Sequence, residues 1–281
     1  MSALTACVEA VKTECLPSEK DVAFYQENGY WISPKIFSDE ELAALREHQD
    51  LVYSGVHETG KQPWCGGWKF NPKRPLEIRK TDNSHWADLT IRKAVLNATI
   101  GAISAKLHGV DSVRIWHDQL LFKPNGGEQT GNVGWHQDFG YWRACKEPNL
   151  TTATIALVDL TRDNGCLEVV PGSNKRGLLA ASDFFNQDMD GLKQRIEAES
   201  GRKMDTVAMP MKAGQVGFHH CLTIHGSGAN RTDAPRRTIA VHQMCGVIHR
   251  NINGKHMNTE IVELADGAPF VNAAFPVVFG G

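Results

Sequence analysis

The chain has 281 residues, 41% of them hydrophobic, and a formal charge of -2, so it can bury one large core and carries no general basic field. No dense Lys/Arg run appears, which excludes nucleic acid as an expected partner. The amino terminus lacks the charged head and apolar block of a secretory signal, and no run approaches a membrane span, so a cytoplasmic protein without membrane contact is expected.

In chain order, the pattern predicts a helix over Ser18 to Asn28, with Ser18 as side-chain cap and Gly29 as left-handed stop. Ser38 and Glu41 form a capping box ahead of Leu42 and Leu45, which signals a second helix. Lys73 to Lys80 holds several cations beside Pro75 and Glu77 and reads as a solvated loop. Asp88 to Leu107 carries Ile91, Val95, Ile100 and Ile103 at helical intervals and reads as a third helix. Beyond it the texture becomes β-like: Val113, Ile115 and Leu120 to Phe122, then Thr151 to Leu160, Leu167 to Val170, Val216 to Phe218, Leu222 to Ile224 and Thr238 to Met244. Short strands separated by Gly, Pro and Asn turns imply a sandwich or barrel. One domain over 1–281 is expected, with a helical part at about 18–108, a β core at about 109–250 and a carboxy-terminal extension at 251–281. The seven cysteines are an odd count with no Cys-x-x-Cys spacing, which argues against a disulfide framework and a structural zinc site.

Three residues carry the chemistry. In Trp135-His136-Gln137-Asp138, an imidazole and a carboxylate two apart on an extended strand point to the same side and can grip adjacent positions of one metal ion. His225, opening the run His225-Gly226-Ser227-Gly228, is the best third ligand. His-x-Asp…His is the two-histidine, one-carboxylate triad that leaves half an octahedron open on Fe(II) for an organic ligand and O2. Twelve histidines in the chain produce some His-x-Asp pairs by chance, so the tripeptide alone is weak. Arg236 adds specificity, because a guanidinium fork beside an open iron suits the far carboxylate of a dicarboxylate and makes 2-oxoglutarate the implied co-substrate. His219 and His220 are consecutive, so at most one points inward, and neither is counted among the ligands.

The chain resembles the phytanoyl-CoA dioxygenase-like branch of the Fe(II)/2-oxoglutarate oxygenases. The resemblance rests on ordered segments: Leu121-Phe122-Lys123-Pro124, Trp135 to Asp138, Asp163 to Ser173, Ala213-Gly214-Gln215-Val216, and His225 through Arg236, with Phe24 to Tyr30 and Ser38 to Leu42 fitting the family's opening. It implies a mainly β fold with flanking helices and a double-stranded β-helix core, a jelly roll with cupin-like topology. It also implies oxidative decarboxylation of 2-oxoglutarate to succinate and CO2, coupled to oxidation of a small-molecule substrate. Asp138 argues against the halogenase variants of this scaffold, which lack the carboxylate.

The resemblance further places Ser227, Gln119 and Lys123 at co-substrate positions, with Thr154 where several relatives carry a tryptophan. A plain turn at Ser227 and half-buried polar strand residues at Gln119 and Lys123 are the competing readings. Trp142 matches an aromatic substrate contact in some relatives. Tyr141 and Trp68 stand in the same two aromatic loops, Phe139 to Arg143 and Gln62 to Phe70, which can form a lid or simply pack on the barrel. The reading is therefore a dioxygenase hydroxylating a metabolite at an unactivated carbon. Its competitors are a fatty acyl-CoA hydroxylase of the same family and a non-catalytic or non-oxoglutarate metal-binding cupin. General grounds alone admit a homodimer.

Overall fold

The computed structural model describes residues 10–64, 73, 76–126, 131–180 and 183–280. The first helix, α1 (Glu19–Asn28), leads into strand β1 (Tyr30–Ile32) through Gly29, whose φ of 79° is the left-handed stop. Helix α2 (Asp39–Ser54) follows, and both helices begin with reciprocal capping boxes at Ser18/Asp21 and Ser38/Glu41. Arg79 and Lys80, expected to end the solvated loop from Lys73, instead open strand β2 (Arg79–Asp82). It pairs along β3, whose unpaired ladder groups there need partners whatever the side chains are.

The stretch expected to be one helix to Leu107 is two, α3 (Leu89–Val95) and α4 (Ala98–His108). The chain breaks at Leu96 and Asn97 because the Asn97 side chain caps α4 by accepting from the Ile100 amide. The strands that follow are β3 (Val113–Lys123), β4 (Val133–His136), β5 (Leu150–Ala156) and β6 (Leu167–Val169). After α5 (Met189–Ser200) come β7 (Val207–Ala208), β8 (Val216–His220), β9 (His225–Ser227), β10 (Arg236–Cys245) and β11 (Val277–Phe279). Leu222 to Ile224, expected to be strand, is the turn that joins β8 to β9. The carboxy-terminal extension is not peripheral: β11 pairs with β3, and Phe270 and Phe275 pack on Trp116.

The strands form two antiparallel sheets, one of seven strands in the order β1-β8-β5-β10-β3-β11 with β2 also on β3, and one of four in the order β4-β9-β6-β7. This is the mainly β fold with flanking helices and the cupin-like, double-stranded β-helix core that the resemblance implied. Period-two alternation divides the faces of the large sheet. Ala153, Ile155, Val216, Phe218, Ile239 and Val241 join Leu42, Ile91, Ile100, Ile103 and Leu107 of the helices in the main hydrophobic core. Each such fully buried aliphatic side chain contributes on the order of 2 kcal/mol. The alternate residues Thr152, Thr154, His219, Thr238, Ala240 and His242 face the other sheet across a cavity. On the small sheet, Trp135 turns outward onto Leu192 and Ile196 of α5. An extra residue in β4 bulges the ladder between Val133 and His136, so both of these line the cavity although they are three apart.

Candidate metal centre and cavity

His136 ends β4, and Gln137 stays extended at φ −118° and ψ 128°, so Asp138 returns to the same face before a short 3-10 turn begins. His225 opens β9 as the Cα partner of His136. The three side chains are buried, and their ligand atoms all lie within 4.8 Å of one another. Asp138 Oδ1 stands 3.4 Å from His136 Nε2 and 3.6 Å from His225 Nε2. Each imidazole donates its Nδ1–H to a backbone carbonyl, His136 to Gly134 at 2.8 Å and His225 to Thr223 at 2.9 Å. A carbonyl only accepts, so the neutral form of either ring carries its lone pair on Nε2, facing the carboxylate.

The second oxygen of Asp138 is held from behind. Oδ2 accepts from the Thr152 hydroxyl at 2.6 Å and from His219 Nε2 at 3.0 Å. Burial works to raise the Asp138 carboxyl, but the neighbouring His225, His136 and His219 imidazoles reverse it and hold the group well below the usual carboxylate range. Burial also pushes His225 well below an ordinary histidine. A carboxylate and two imidazole Nε2 atoms turned to one point are the donors a divalent cation needs, so the set fits Fe(II).

The cavity between the sheets opens to solvent at one side. One end is built by Arg236 and Thr238 of β10. Arg236 is 3% exposed, its Nε is buried without a partner, and so is the Thr238 hydroxyl. Burial lowers the guanidinium only to about 10, so it stays charged at neutral pH. A buried cation with an orphaned N–H beside an orphaned hydroxyl fits the far carboxylate of 2-oxoglutarate.

Of the other residues expected at the co-substrate, Thr154, Gln119, Lys123 and Ser227 all line the cavity. Lys123 Nζ, however, donates to Ser227 O at 3.0 Å, to Ser227 Oγ at 2.6 Å and to Gly228 O at 2.6 Å, which uses all three of its protons. Ser227 Oγ donates onward to Gly165 O at 2.7 Å. Gln119 Nε2 donates to Asp82 Oδ1 at 2.9 Å. Lys123 and Ser227 thus tie β3 to β9 across the cavity end.

Trp142 is buried behind the cavity wall, edge-on to His242 at 4.9 Å and to His117 at 5.9 Å. Tyr141 is 40% exposed, and its hydroxyl accepts from the Phe184 amide at 2.8 Å. Trp68 lies outside the described residues. Sequence reasoning missed Thr152, His219, His242 and Phe184, all of which line the cavity. Their signals were the polar side chains alternating through β5 and β10 and the one inward-pointing member of His219-His220. A second His/Glu/Asp group, His48, Glu58 and Asp88, is occupied by structural bonds: Asp88 caps α3 and takes His48 Nδ1 at 2.7 Å, and Glu58 accepts from the Leu89 amide.

A jelly roll carrying two imidazoles and a carboxylate at one cavity wall, with a buried arginine beyond, defines the class of Fe(II)- and 2-oxoglutarate-dependent oxygenases. The profile of the family described as phytanoyl-CoA dioxygenase (PhyH) matches residues 25–238. The chain belongs to this family of oxidoreductases, which use Fe(II), 2-oxoglutarate and O2. Peroxisomal phytanoyl-CoA dioxygenase of Homo sapiens is 30% identical over 258 residues, covering 86% of this chain and 74% of the relative. Ectoine dioxygenase of Stutzerimonas stutzeri (strain A1501) is 27% identical over 232 residues, covering 76% of this chain and 72% of the relative. Among solved structures, the non-heme alpha ketoglutarate dependent carbocyclase SnoK from nogalamycin biosynthesis superposes with a TM-score of 0.72 at 26% identity, covering 93% of this chain and 96% of that one. No described helix is long and apolar enough to cross a membrane.

Proposed function

We propose that this dioxygenase hydroxylates a small metabolite at an unactivated carbon, with His136, Asp138 and His225 holding Fe(II) and Arg236 with Thr238 holding the far carboxylate of 2-oxoglutarate. The observation that carries the reading is the pairing of a converged triad with an orphaned, buried guanidinium in the same cavity. Bound there, Fe(II) supplies the O2 chemistry that converts 2-oxoglutarate to succinate and CO2 as the substrate is oxidised. The residues around it divide the remaining work. Thr152 and His219 fix the carboxylate so that one oxygen faces the metal position. Phe184, edge-on to His136 at 4.9 Å, covers the imidazole from the cavity mouth and excludes water.

A free metabolite is favoured over an acyl-CoA, since no basic groove for a nucleotide handle is readable in the sequence. The relatives named above act on phytanoyl-CoA, on ectoine and in nogalamycin biosynthesis, so the family's substrates are diverse. The residues act as one catalytic domain, in the cytoplasm, without nucleic-acid partners, and as a monomer or homodimer that a sizing measurement decides. The functional test is succinate release from the Fe(II)-loaded protein, screened over candidate metabolites for coupled use of 2-oxoglutarate and O2. Succinate that forms only with Fe(II), and faster with one metabolite, is the expected result. No succinate under any condition overturns the reading.

A further inference from the structure

The cavity has a further orphaned group at the end away from Arg236. His242 lies six residues further along β10, which at the rise of an antiparallel strand is about 20 Å from Arg236, beyond the reach of one five-carbon diacid. His242 and its neighbour His117 are Cα partners with ring centroids 4.2 Å apart, and both are at least nine-tenths buried. His242 lines the cavity and its buried Nε2 has no hydrogen-bond partner, whereas His117 stands behind it with Nδ1 3.7 Å from Asp82 Oδ1. An unpartnered buried nitrogen in a cavity wall calls for a ligand.

The hydrogen bonds fix what kind of ligand. Thr152 Oγ1 has one proton and lies 2.6 Å from Asp138 Oδ2 and 2.8 Å from His242 Nδ1. A carboxylate oxygen only accepts, so the proton goes to Asp138 and Thr152 must accept from His242 Nδ1–H. Burial pushes the His242 imidazole down to about 4, which makes it neutral at physiological pH. A neutral ring protonated on Nδ1 carries its lone pair on Nε2.

We propose that His242 Nε2 is the acceptor for a hydroxyl or N–H group on the small molecule to be oxidised, making His242 a specificity-determining residue. The inference rests on the dioxygenase reading above. It narrows the substrate to molecules that carry a hydrogen-bond donor, with Phe184 beside His136 supplying apolar wall near the metal position. A site built to bond such a group rejects analogues that lack it, because the buried nitrogen is then left unpaired.

The test uses the full chain loaded with Zn(II) and 2-oxoglutarate, which binds without turnover. Long-range nitrogen–proton correlation of labelled imidazoles should show His242 protonated on Nδ1, and Thr152→Val should release that tautomer. Cyclohexanol should bind about tenfold more tightly than cyclohexanone, a ring of similar size with no donor, and His242→Phe should erase the difference. An Nε2-protonated His242 in the wild type, no alcohol preference, or a preference kept in His242→Phe overturns the proposal. Failure of the dioxygenase reading is seen separately, as absence of succinate from the wild-type iron enzyme, and does not move the tautomer or the alcohol preference.

Discussion

His136 and His225 are Cα partners across the β4–β9 pair, with ring centroids 4.1 Å apart. Residues from two segments almost ninety positions apart thus present their Nε2 atoms side by side, because strand pairing sets the spacing and two backbone carbonyls set the ring orientation. A metal bound to such a site stabilises the folded state in proportion to its occupancy, by about 2.7 kcal/mol at a hundredfold excess over Kd.

The first prediction follows from that linkage. Adding Co(II) to the metal-free protein should raise the melting temperature by about 5–10 °C, the shift that a few kcal/mol produces in a chain near this size. Asp138→Ala should remove the rise and abolish hydroxylation. Full activity in Asp138→Ala would rule out the ligand assignment.

Arg236 is the discriminator between 2-oxoglutarate chemistry and a cupin that uses the same metal face otherwise. Hydrogen bonds to a charged group contribute about 1.5–3 kcal/mol each, so Arg236→Leu should raise the KM for 2-oxoglutarate roughly 30-fold or more. The metal-induced rise in melting temperature should survive, since Arg236 does not touch the triad. Steady-state succinate formation against 2-oxoglutarate concentration measures the effect, and an unchanged KM would favour the non-oxoglutarate alternative.

Lys123 was expected at the co-substrate, but its three protons are committed to Ser227 and Gly228. Its ammonium is fully buried, and both burial and the neighbouring Arg236 charge push its pKa well below that of an ordinary lysine. Lys123→Met keeps the length of the side chain and strands those acceptors, which should cost about 3 kcal/mol and lower the melting temperature by about 6–12 °C. A thermal melt checks this. A variant as stable as the wild type that binds 2-oxoglutarate more weakly would return Lys123 to the co-substrate.

The ligands and Arg236 were legible because each depends on local spacing: His136 and Asp138 are two apart, and His225 and Arg236 flank one turn. The helix starts were legible for the same reason, since Ser18 and Ser38 carry their caps within three residues. The break between α3 and α4 was readable only in hindsight, as a five-residue step from Val95 to Ile100 where a helix would place three or four. Thr152, His219 and His242 escaped because their meaning lies in register: β5 sets Thr152 beside both His219 on β8 and His242 on β10. No spacing within one strand encodes that alignment. Arg79 and Lys80 read as the end of the loop from Lys73 because the charges there outweighed a pairing demand that comes from β3.

Phe184 is the remaining residue that sequence did not reveal, and Gly134 explains how it is placed. The segment carrying Phe184 runs along the free edge of β4, where Gly134 N donates to Phe184 O at 2.9 Å and Asp183 N donates to Trp135 O at 3.1 Å. A Cβ at position 134 would overlap the Asp183 carbonyl oxygen, so only glycine lets the segment lie this close. Gly134→Ala should therefore push residues 183–186 off the strand and lift the Phe184 ring from His136. With water admitted to the cavity, 2-oxoglutarate should be consumed severalfold faster per substrate hydroxylated, and protease should cut the segment at least tenfold faster. Phe184→Ala should reproduce the uncoupling without the new cleavage, since it removes the ring and leaves the backbone bonds. Coupling and proteolysis that match the wild type in Gly134→Ala would show that Phe184 does not guard the site.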